Sequence, residues 1–490
     1  MNKLTCPLLF ILTLNFCLAQ NENAPIMSMD NAIDRAQRES PSYQKAVTTV
    51  ANSYWMYRNY RSTLLPSLDL DLTLPNYTAG NDRIQQPDGS FELRKRSVLY
   101  NTGFLSIDQN VPFTGGVFSV ASTLNRNQVY EPTPNTEWLS VPIIFNYEQP
   151  MLLYNNFRWN RKVQPLLYDE SLKKYSEDIE SIGLETSVFF FEAVTAENAY
   201  LLAEINNKNL DTLYRLSKGR YNLGKIAEND LLSIELQLLN SENDLFQAKI
   251  NRENTYKNLM RFLNYPLDTV LRLALPDHVP DLPILEEKAL MEAHENRQQV
   301  LEFERRKIQA DQRIAEARGQ SGYNLSITGQ LGISGVGNDI QSAYANPNAQ
   351  QQYIALNLAI PLVDWGEAKS RVRMAKSTKD LDLVNINQEE INFDQEIRLE
   401  VKNYESQRKQ LEIAARADTI GQLRYNVTKQ RYIIGKINIT DLNIAQQEMS
   451  NSRLAYLFAL RDAWRSYYRI RVLTLYNFET NEKIIFEYEP

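Results

Sequence analysis

The spacing of apolar residues divides the chain into helical and extended stretches. From Met29 to about Leu64, apolar residues recur every three or four positions, which predicts helix, and Pro41 divides this stretch into a short and a longer helix. After Pro66 the period changes to two, because leucine fills the even positions from 68 to 74 while Asp or Thr fills the odd ones. This alternation predicts a strand with one apolar face and one polar face.

The two-residue period returns three times, so strands are predicted at about 64–75, 138–149, 322–334 and 353–361. Their lengths suit strands that cross a membrane, which need about 9–11 residues. The same alternation also fits a soluble β-sandwich. No uninterrupted apolar run of about 18 residues follows position 19, so no transmembrane helix is predicted.

Residues 1–19, MNKLTCPLLFILTLNFCLA, have the features of a secretory signal peptide. A lysine precedes an apolar core, and Cys17 and Ala19 supply small side chains before the cleavage site. The alternative is a lipid anchor at Cys17, but the preceding residues lack the small side chains that such processing needs. Secretion, together with the strands and the duplication described next, favours a membrane barrel over the sandwich.

Two segments of the chain are copies of each other. RYNLGKIAENDL begins at Arg220 and RYIIGKINITDL begins at Arg431, and seven of the twelve aligned residues are identical without a gap. An offset of 211 residues therefore relates the two halves of the chain. In each copy a glycine, Gly224 or Gly435, follows a helical stretch, and an acid lies six residues further on. Because glycine ends helices readily, each copy predicts the tip of a helical hairpin.

Long helices are predicted on both sides of the tips. No proline interrupts residues 166–265 or 362–489. Single helices are therefore expected at about 159–218 and 365–430, and a helix of about 60 residues extends roughly 90 Å. Such helices must pack along one another, and leucines at a seven-residue spacing from Leu231 give the first return helix a coiled-coil stripe.

The duplication sets the predicted domain organisation. Repeat 1 spans residues 20–265, a proline-rich linker spans 266–287, repeat 2 spans 288–476 and a tail spans 477–490. The first repeat has 46 additional residues that contain a predicted hairpin at about 97–125. We expect this extra hairpin to lie outside the barrel.

Composition and motifs argue against catalysis and nucleic-acid binding. The net charge is −7, and both cysteines lie within the predicted signal peptide. The two histidines, His278 and His294, have no metal-ligand spacing, and the glycines at 332, 335 and 337 lack the order of a dinucleotide-binding loop. The sequence contains no nucleophile elbow and no phosphate-binding loop. We therefore predict a non-enzymatic protein with no cofactor and no metal.

The order of these features resembles the TolC-type outer-membrane efflux proteins. Each half has a helix, a strand pair closing on a proline motif (YEQPMLLYNN or LAIPLVDWGE), a long helix, an RYxxGK tip and a return helix. The resemblance covers essentially the whole chain after the signal peptide. It implies a fold that mixes α-helices with membrane β-strands: four strands per chain in a trimeric 12-stranded barrel, continued by a long periplasmic coiled-coil barrel.

The resemblance implies that the protein is the exit duct of a tripartite efflux system. Such a duct is a passive channel for small molecules in the outer membrane of a Gram-negative bacterium, with its helices in the periplasm. The expected partners are two further copies of the chain, a periplasmic adaptor, outer-membrane lipid and, indirectly, an inner-membrane pump; nucleic acid is not expected. Type I protein secretion through the same duct and a soluble periplasmic coiled-coil scaffold are the alternatives.

The resemblance also assigns roles to residues at the tips. Adaptor docking is expected at Arg220, Tyr221, Leu223, Gly224, Lys225 and Ile226 of the first tip and at Arg431, Ile434, Gly435, Lys436 and Ile437 of the second. A periplasmic gate is expected at Asp230, Tyr432 and Asp441. Ile437 and Ile444 stand where the family has a basic gate residue and a second acid, so that part of the latch is absent.

Each of these assignments has a structural alternative. Asp230 and Asp441 suit helix caps or first-turn acids as well as gate residues. Arg220 and Arg431 suit surface ion pairs, which contribute little stability. Tyr432 suits packing between helices.

Overall fold

A computed structural model describes residues 25–489 except 88, 277, 278, 346, 348, 435 and 438. The predicted signal peptide, with Cys17, lies outside the described residues. The chain divides into two compact units. One comprises the residues up to Ala51, Ser171–Val300 and the chain from Glu390 onward, and the other comprises Asn52–Glu170 and Leu301–Glu389. Each unit therefore takes residues from both predicted repeats.

Helices and strands follow one another in the predicted order. In the described part of the chain the helices are α1 (Met29–Glu39), α2 (Pro41–Ser62), α3 (Asn156–Asn222), α4 (Glu228–Phe262), α5 (Glu286–Asn296), α6 (Gln298–Gly319), α7 (Ile340–Ala345), α8 (Glu367–Ile433) and α9 (Ile439–Thr474). The strands are β1 (Ile26–Met27), β2 (Ser67–Gln85), β3 (Phe91–Val111), β4 (Gly116–Glu131), β5 (Asn135–Gln149), β6 (Arg272–Leu273), β7 (Asn324–Gly337), β8 (Ala349–Ala359), β9 (Tyr476–Asn477) and β10 (Glu482–Lys483).

The helices confirm the expectations drawn from periodicity. Ser40 separates α1 from α2, and its Oγ accepts a hydrogen bond of 3.0 Å from the amide of Tyr43, which caps the start of the second helix. The long helices α3 and α8 have 67 residues each, slightly more than the sequence predicts. Among the described residues, no helix combines the length and the apolarity that crossing a membrane requires.

The first unit is built around α3, α4, α8 and α9. Its core contains the fully buried rings of Phe190, Phe191, Tyr404 and Tyr467. An ion pair lies within this core: the guanidinium of Arg471 is 2.7 Å from the Glu180 carboxylate, which is 1% exposed. Burial raises the pKa of Glu180, and the neighbouring guanidinium opposes that shift.

The predicted linker is attached to the same unit. Its strand β6 pairs in parallel with β1, and the Tyr404 hydroxyl donates a hydrogen bond of 2.6 Å to the carbonyl of Pro280. Further along, the guanidinium of Arg408 donates to the carbonyl of Leu282 at 3.2 Å. These contacts hold the segment against α8.

The second unit contains an antiparallel six-stranded sheet in the order β2-β3-β4-β5-β7-β8. The expectation that the extra hairpin lies outside the strand wall is wrong for this sheet, because β3 and β4 pair between β2 and β5. The physical reason is backbone pairing: a strand of 21 residues beside one of 16 residues satisfies its amides and carbonyls by joining the ladder on both sides. Six strands from one chain therefore replace the expected four.

The sheet has two chemically different faces. Residues directly opposite each other in paired strands share a face, so the register extends the leucine row of β2 across the sheet. We call this the apolar face; it includes Leu68, Leu70, Leu72, Leu105, Ile107, Phe118, Val120, Phe145, Leu331, Leu356 and Leu358. The opposite, polar face includes Asp69, Asp71, Ser106, Asp108, Ser119, Asn146, Gln330 and Asn357.

The apolar face is accessible in the single chain. Leu70 is 62% exposed, Leu356 is 64% exposed and Leu331 is 53% exposed. A soluble sandwich would bury such a face against a second sheet. On the polar face, Ala121, Val141 and Ile144 form a small buried cluster with Phe104.

Candidate functional site

The first tip is a helix end of the Schellman type. Gly224 has φ of +66°, a left-handed conformation that glycine adopts without a steric penalty. Its amide donates to the carbonyl of Tyr221 at 2.8 Å, and the amide of Lys225 donates to the carbonyl of Arg220 at 2.8 Å. These two bonds satisfy carbonyls that the end of α3 would otherwise leave unpaired, so the chain turns sharply into α4.

The second tip repeats one of these two bonds, the one that spans five residues. The amide of Lys436 donates to the carbonyl of Arg431 at 2.9 Å, the equivalent of the bond between Lys225 and Arg220. Gly435 itself lies outside the described residues. The two copies of the sequence thus produce the same backbone connection 211 residues apart.

Each tip presents one exposed apolar side chain among positive charges. Leu223 is 72% exposed and Ile434, at the equivalent position, is 64% exposed. The neighbouring basic residues of both copies are also exposed: Arg220, Lys225, Arg431 and Lys436. Ile226 and Ile437 are half-buried. An apolar residue beside cations suits a protein partner that offers an apolar contact flanked by acids or carbonyl groups.

The two tip tyrosines differ in their surroundings. Tyr221 is 38% exposed, whereas Tyr432 is only 8% exposed. Tyr432 belongs to a buried cluster between the two hairpins, whose other members are Leu210, Leu213, Ile234, Tyr425 and Leu442. Its position favours the packing alternative over a latch within the single chain. The assignment of Tyr432 to a gate stays a prediction.

Polar contacts join the hairpins beside this cluster. The Asn209 side-chain amide donates to the Tyr425 hydroxyl at 2.9 Å, and the Asn443 amide donates to Gln237 Oε1 at 2.6 Å. Burial raises the pKa of Tyr425. Sequence periodicity did not identify these residues, because they are ordinary polar side chains within long helices whose partners come from the other half of the chain.

The acids proposed for the gate lie in the first turns of the return helices. Asp230 is the third residue of α4 and Asp441 the third residue of α9, and both are exposed. The residue at the N-cap position of α4 is Ala227, whose side chain makes no capping bond. Asp230 is therefore a first-turn acid and not the N-cap, and its charge is favourable near the positive end of the helix dipole.

The structure places the gate candidates on different elements. Tyr432 and Asp441 belong to the second hairpin and Asp230 to the first, and the cluster that contains Tyr432 also includes Leu442, the neighbour of Asp441, and Ile234, four residues after Asp230. Ile444, which stands where the sequence resemblance implies a second gate acid, is 46% exposed.

The histidines do not form a metal site in the described part of the molecule. His278 lies outside the described residues, and His294 has its Nε2 atom 2.8 Å from Asp394 Oδ1 at the surface. His294 and Asp394 are 100 residues apart in the sequence, which explains why the sequence alone shows no acid beside this histidine. Among the described residues, no group of three or more His, Cys, Asp or Glu side chains is arranged to hold a metal ion.

Residues 289–474 match a protein family described as outer membrane efflux protein. No curated protein sequence matches the chain.

Solved structures of outer-membrane channels resemble the chain closely in fold. The Campylobacter jejuni CmeC outer membrane channel is 18% identical, with a TM-score of 0.67 over 91% of this chain and 85% of that one. The open state of the Neisseria gonorrhoeae MtrE outer membrane channel is 18% identical, with a TM-score of 0.61 over 91% and 88%. The outer membrane protein VceC from Vibrio cholerae is 13% identical, with a TM-score of 0.61 over 91% and 95%. The likeness covers 91% of this chain in each case, so the chain shares the fold of these channels.

Proposed function

We propose that three copies of the chain form a passive exit duct for small molecules. Two findings support this proposal: residues 289–474 match the outer membrane efflux protein family, and the chain has the fold of outer-membrane channels. The duct lies in the outer membrane of a Gram-negative bacterium, and its helical hairpins extend into the periplasm. A periplasmic adaptor docks on the hairpin tips and connects the duct to an inner-membrane pump. The observation that carries this proposal is the apolar face of the sheet.

The sheet supports membrane insertion in a closed assembly. Its apolar face offers leucine, isoleucine and phenylalanine side chains to lipid, and its polar face offers Asp, Ser, Asn and Gln to water. The sheet ends on β2 at one side and on β8 at the other. Open strand edges leave backbone amides and carbonyls without partners in lipid, so copies of the chain close the wall by pairing edge to edge.

The tips support adaptor docking. Both carry the hydrogen bond from the lysine amide to the arginine carbonyl, the same exposed apolar position and the same pair of basic residues, so one adaptor surface can recognise either tip. Three chains present six such tips at the periplasmic end. Repeated equivalent contacts raise the overall affinity without any single strong contact.

Replacing Gly224 tests the tip backbone. No atom lies within 4 Å of a Cβ built at Gly224, so the effect of Gly224→Val comes from the left-handed conformation alone, at about 1–2 kcal/mol. We expect adaptor cross-linking to the first tip to fall about five- to thirtyfold while the trimer still assembles. Gly224→Asn is the matched control, since asparagine tolerates this conformation. Equal cross-linking by the valine and asparagine variants would remove the turn from the docking surface.

Replacing Asp441 tests the gate. A ring of three carboxylates at the periplasmic entrance attracts cations and holds part of the resting closure. Asp441→Ala is therefore expected to change single-channel conductance in a planar bilayer and to lower the preference for cations. Asp441→Glu keeps the charge and serves as the control. An alanine variant with the conductance and ion preference of the unmodified channel would place Asp441 outside the pore.

Small-molecule efflux and protein secretion would use the same duct, and the export phenotypes of a deletion strain distinguish the two functions. A strain that lacks the chain is expected to accumulate a fluorescent efflux dye and to recover export when the full chain is restored. Loss of a protein from the culture medium, with dye export unchanged, would instead support type I secretion. If neither phenotype appears, the proposed export function is wrong.

A further inference from the structure

Two strands of the sheet are additional to the four that the duplicated sequence pattern supplies. β3 pairs with β2 from the partners Ser67 and Asp108 to the partners Gln85 and Phe91. β4 pairs with β3 on one side and with β5 on the other. The hairpin formed by β3 and β4 therefore occupies the place where β2 and β5 would otherwise meet.

The additional strands also continue the apolar face. Leu105 lies opposite Leu70 of β2, and both are exposed, at 43% and 62%. Phe118 of β4 stacks against Phe145 of β5, with ring centroids 6.3 Å apart. In one row the apolar residues are continuous from β2 to β5 through the hairpin: Leu68, Ile107, Val120 and Phe145 are successive cross-strand partners.

Backbone pairing excludes a hairpin that merely covers the sheet. If β3 and β4 lay outside the wall, β2 and β5 would have to pair directly, but the edge of β2 that faces β5 is paired with β3, and the edge of β5 that faces β2 is paired with β4. Removing the hairpin from the ladder would leave long rows of amides and carbonyls without partners in lipid, at a cost of several kcal/mol for each unsatisfied group. The hairpin is a structural part of the wall.

We propose that each chain contributes six strands to the membrane wall and that lipid acyl chains cover the apolar face of β3 and β4. This inference rests on the proposed trimeric duct. Three copies then form an 18-stranded barrel and not a 12-stranded one. With strands about 4.8 Å apart and tilted by about 40°, the backbone diameter is about 36 Å for 18 strands and about 24 Å for 12.

A wider wall changes which solutes the exterior end of the duct can hold. The cross-sectional area at the level of the sheet is roughly twice that of a 12-stranded wall. This part of the duct accordingly admits bulky solutes, including polymers and unfolded polypeptide segments, and leaves selection by size to the helical part.

Neighbouring residues of β4 provide a matched test of lipid contact. Val120 lies on the apolar face and Ser119 on the polar face, and Leu356 of β8 is a reference position on the apolar face. The native cysteines are confined to positions 6 and 17, so Val120→Cys, Ser119→Cys and Leu356→Cys each label at one site once the signal is removed. Each variant of the full chain is labelled with an environment-sensitive fluorophore and reconstituted in vesicles that contain brominated phospholipid.

The proposal predicts strong quenching at positions 120 and 356 and at least severalfold weaker quenching at 119. Quenching at 356 without quenching at 120 would place the hairpin outside the lipid-facing wall and overturn the inference, while the proposed duct would remain. Absence of quenching at both 120 and 356 would contradict the duct itself.

Deleting residues 91–131 provides a second measurement. The deletion leaves β2 and β5 antiparallel and free to pair, as in a four-stranded contribution. In planar bilayers, the largest polyethylene glycol that enters the exterior mouth is expected to be about one-third smaller in diameter for the deleted chain. An unchanged size limit would contradict the 18-stranded wall, and if the deleted chain does not assemble, the quenching at position 120 decides.

Discussion

Leu356→Arg is expected to prevent the chain from assembling in the outer membrane. Leu356 is 64% exposed on the apolar face of β8, where its side chain would meet lipid. An arginine on the lipid face of a membrane strand costs about 2–4 kcal/mol near the bilayer midplane, so three copies cost roughly 6–12 kcal/mol. We expect at least a tenfold loss of trimer from the outer-membrane fraction.

The adjacent residue supplies the control for this substitution. Asn357 lies on the polar face of the same strand, so Asn357→Arg directs the same charge toward water. We expect Asn357→Arg to assemble to near the normal amount, with an effect on ion preference only. If both arginine variants assemble equally, the apolar face does not contact lipid.

The double substitution Leu223→Asp and Ile434→Asp is expected to abolish export while the trimer forms normally. These are the exposed apolar residues at equivalent positions of the two tips, at 72% and 64% exposure. Burying each of these side chains in a contact contributes roughly 2 kcal/mol to the binding free energy, so losing both weakens adaptor binding by about a thousandfold per chain. Dye accumulation and adaptor cross-linking in cells measure the effect.

The conservative pair Leu223→Met and Ile434→Val is the control for the tips. It keeps an apolar surface at both positions and should retain export. Export by the aspartate double variant at the normal rate would show that the adaptor binds elsewhere. Loss of the trimer itself would show that the tip residues serve assembly and not docking.

Local sequence was sufficient to predict features that depend on neighbouring residues. The position of Gly224 predicted the end of α3, because a left-handed residue is needed where the helix turns back. The alternation at 68–74 predicted the two faces of β2. The break at Pro41 predicted the separation of α1 from α2.

Features that depend on distant partners were not predicted. The second half of β2, from Asn76 to Gln85, lacks apolar alternation and is extended because it pairs with β3. The position of the hairpin within the sheet likewise depends on which edges meet in space. Tyr221 and Tyr432 occur in nearly the same local sequence, yet only Tyr432 is buried, because it faces the other hairpin. Sequence periodicity carries no information on such pairings.

The most direct test of the exit-duct proposal is the location and oligomeric state of the full chain in cells. Membrane fractionation followed by gel electrophoresis with and without heating measures both. The proposed duct predicts an outer-membrane protein that migrates as a trimer before heating and as a monomer of about 57 kDa or slightly less afterwards. A monomer recovered from the soluble periplasmic fraction would contradict it.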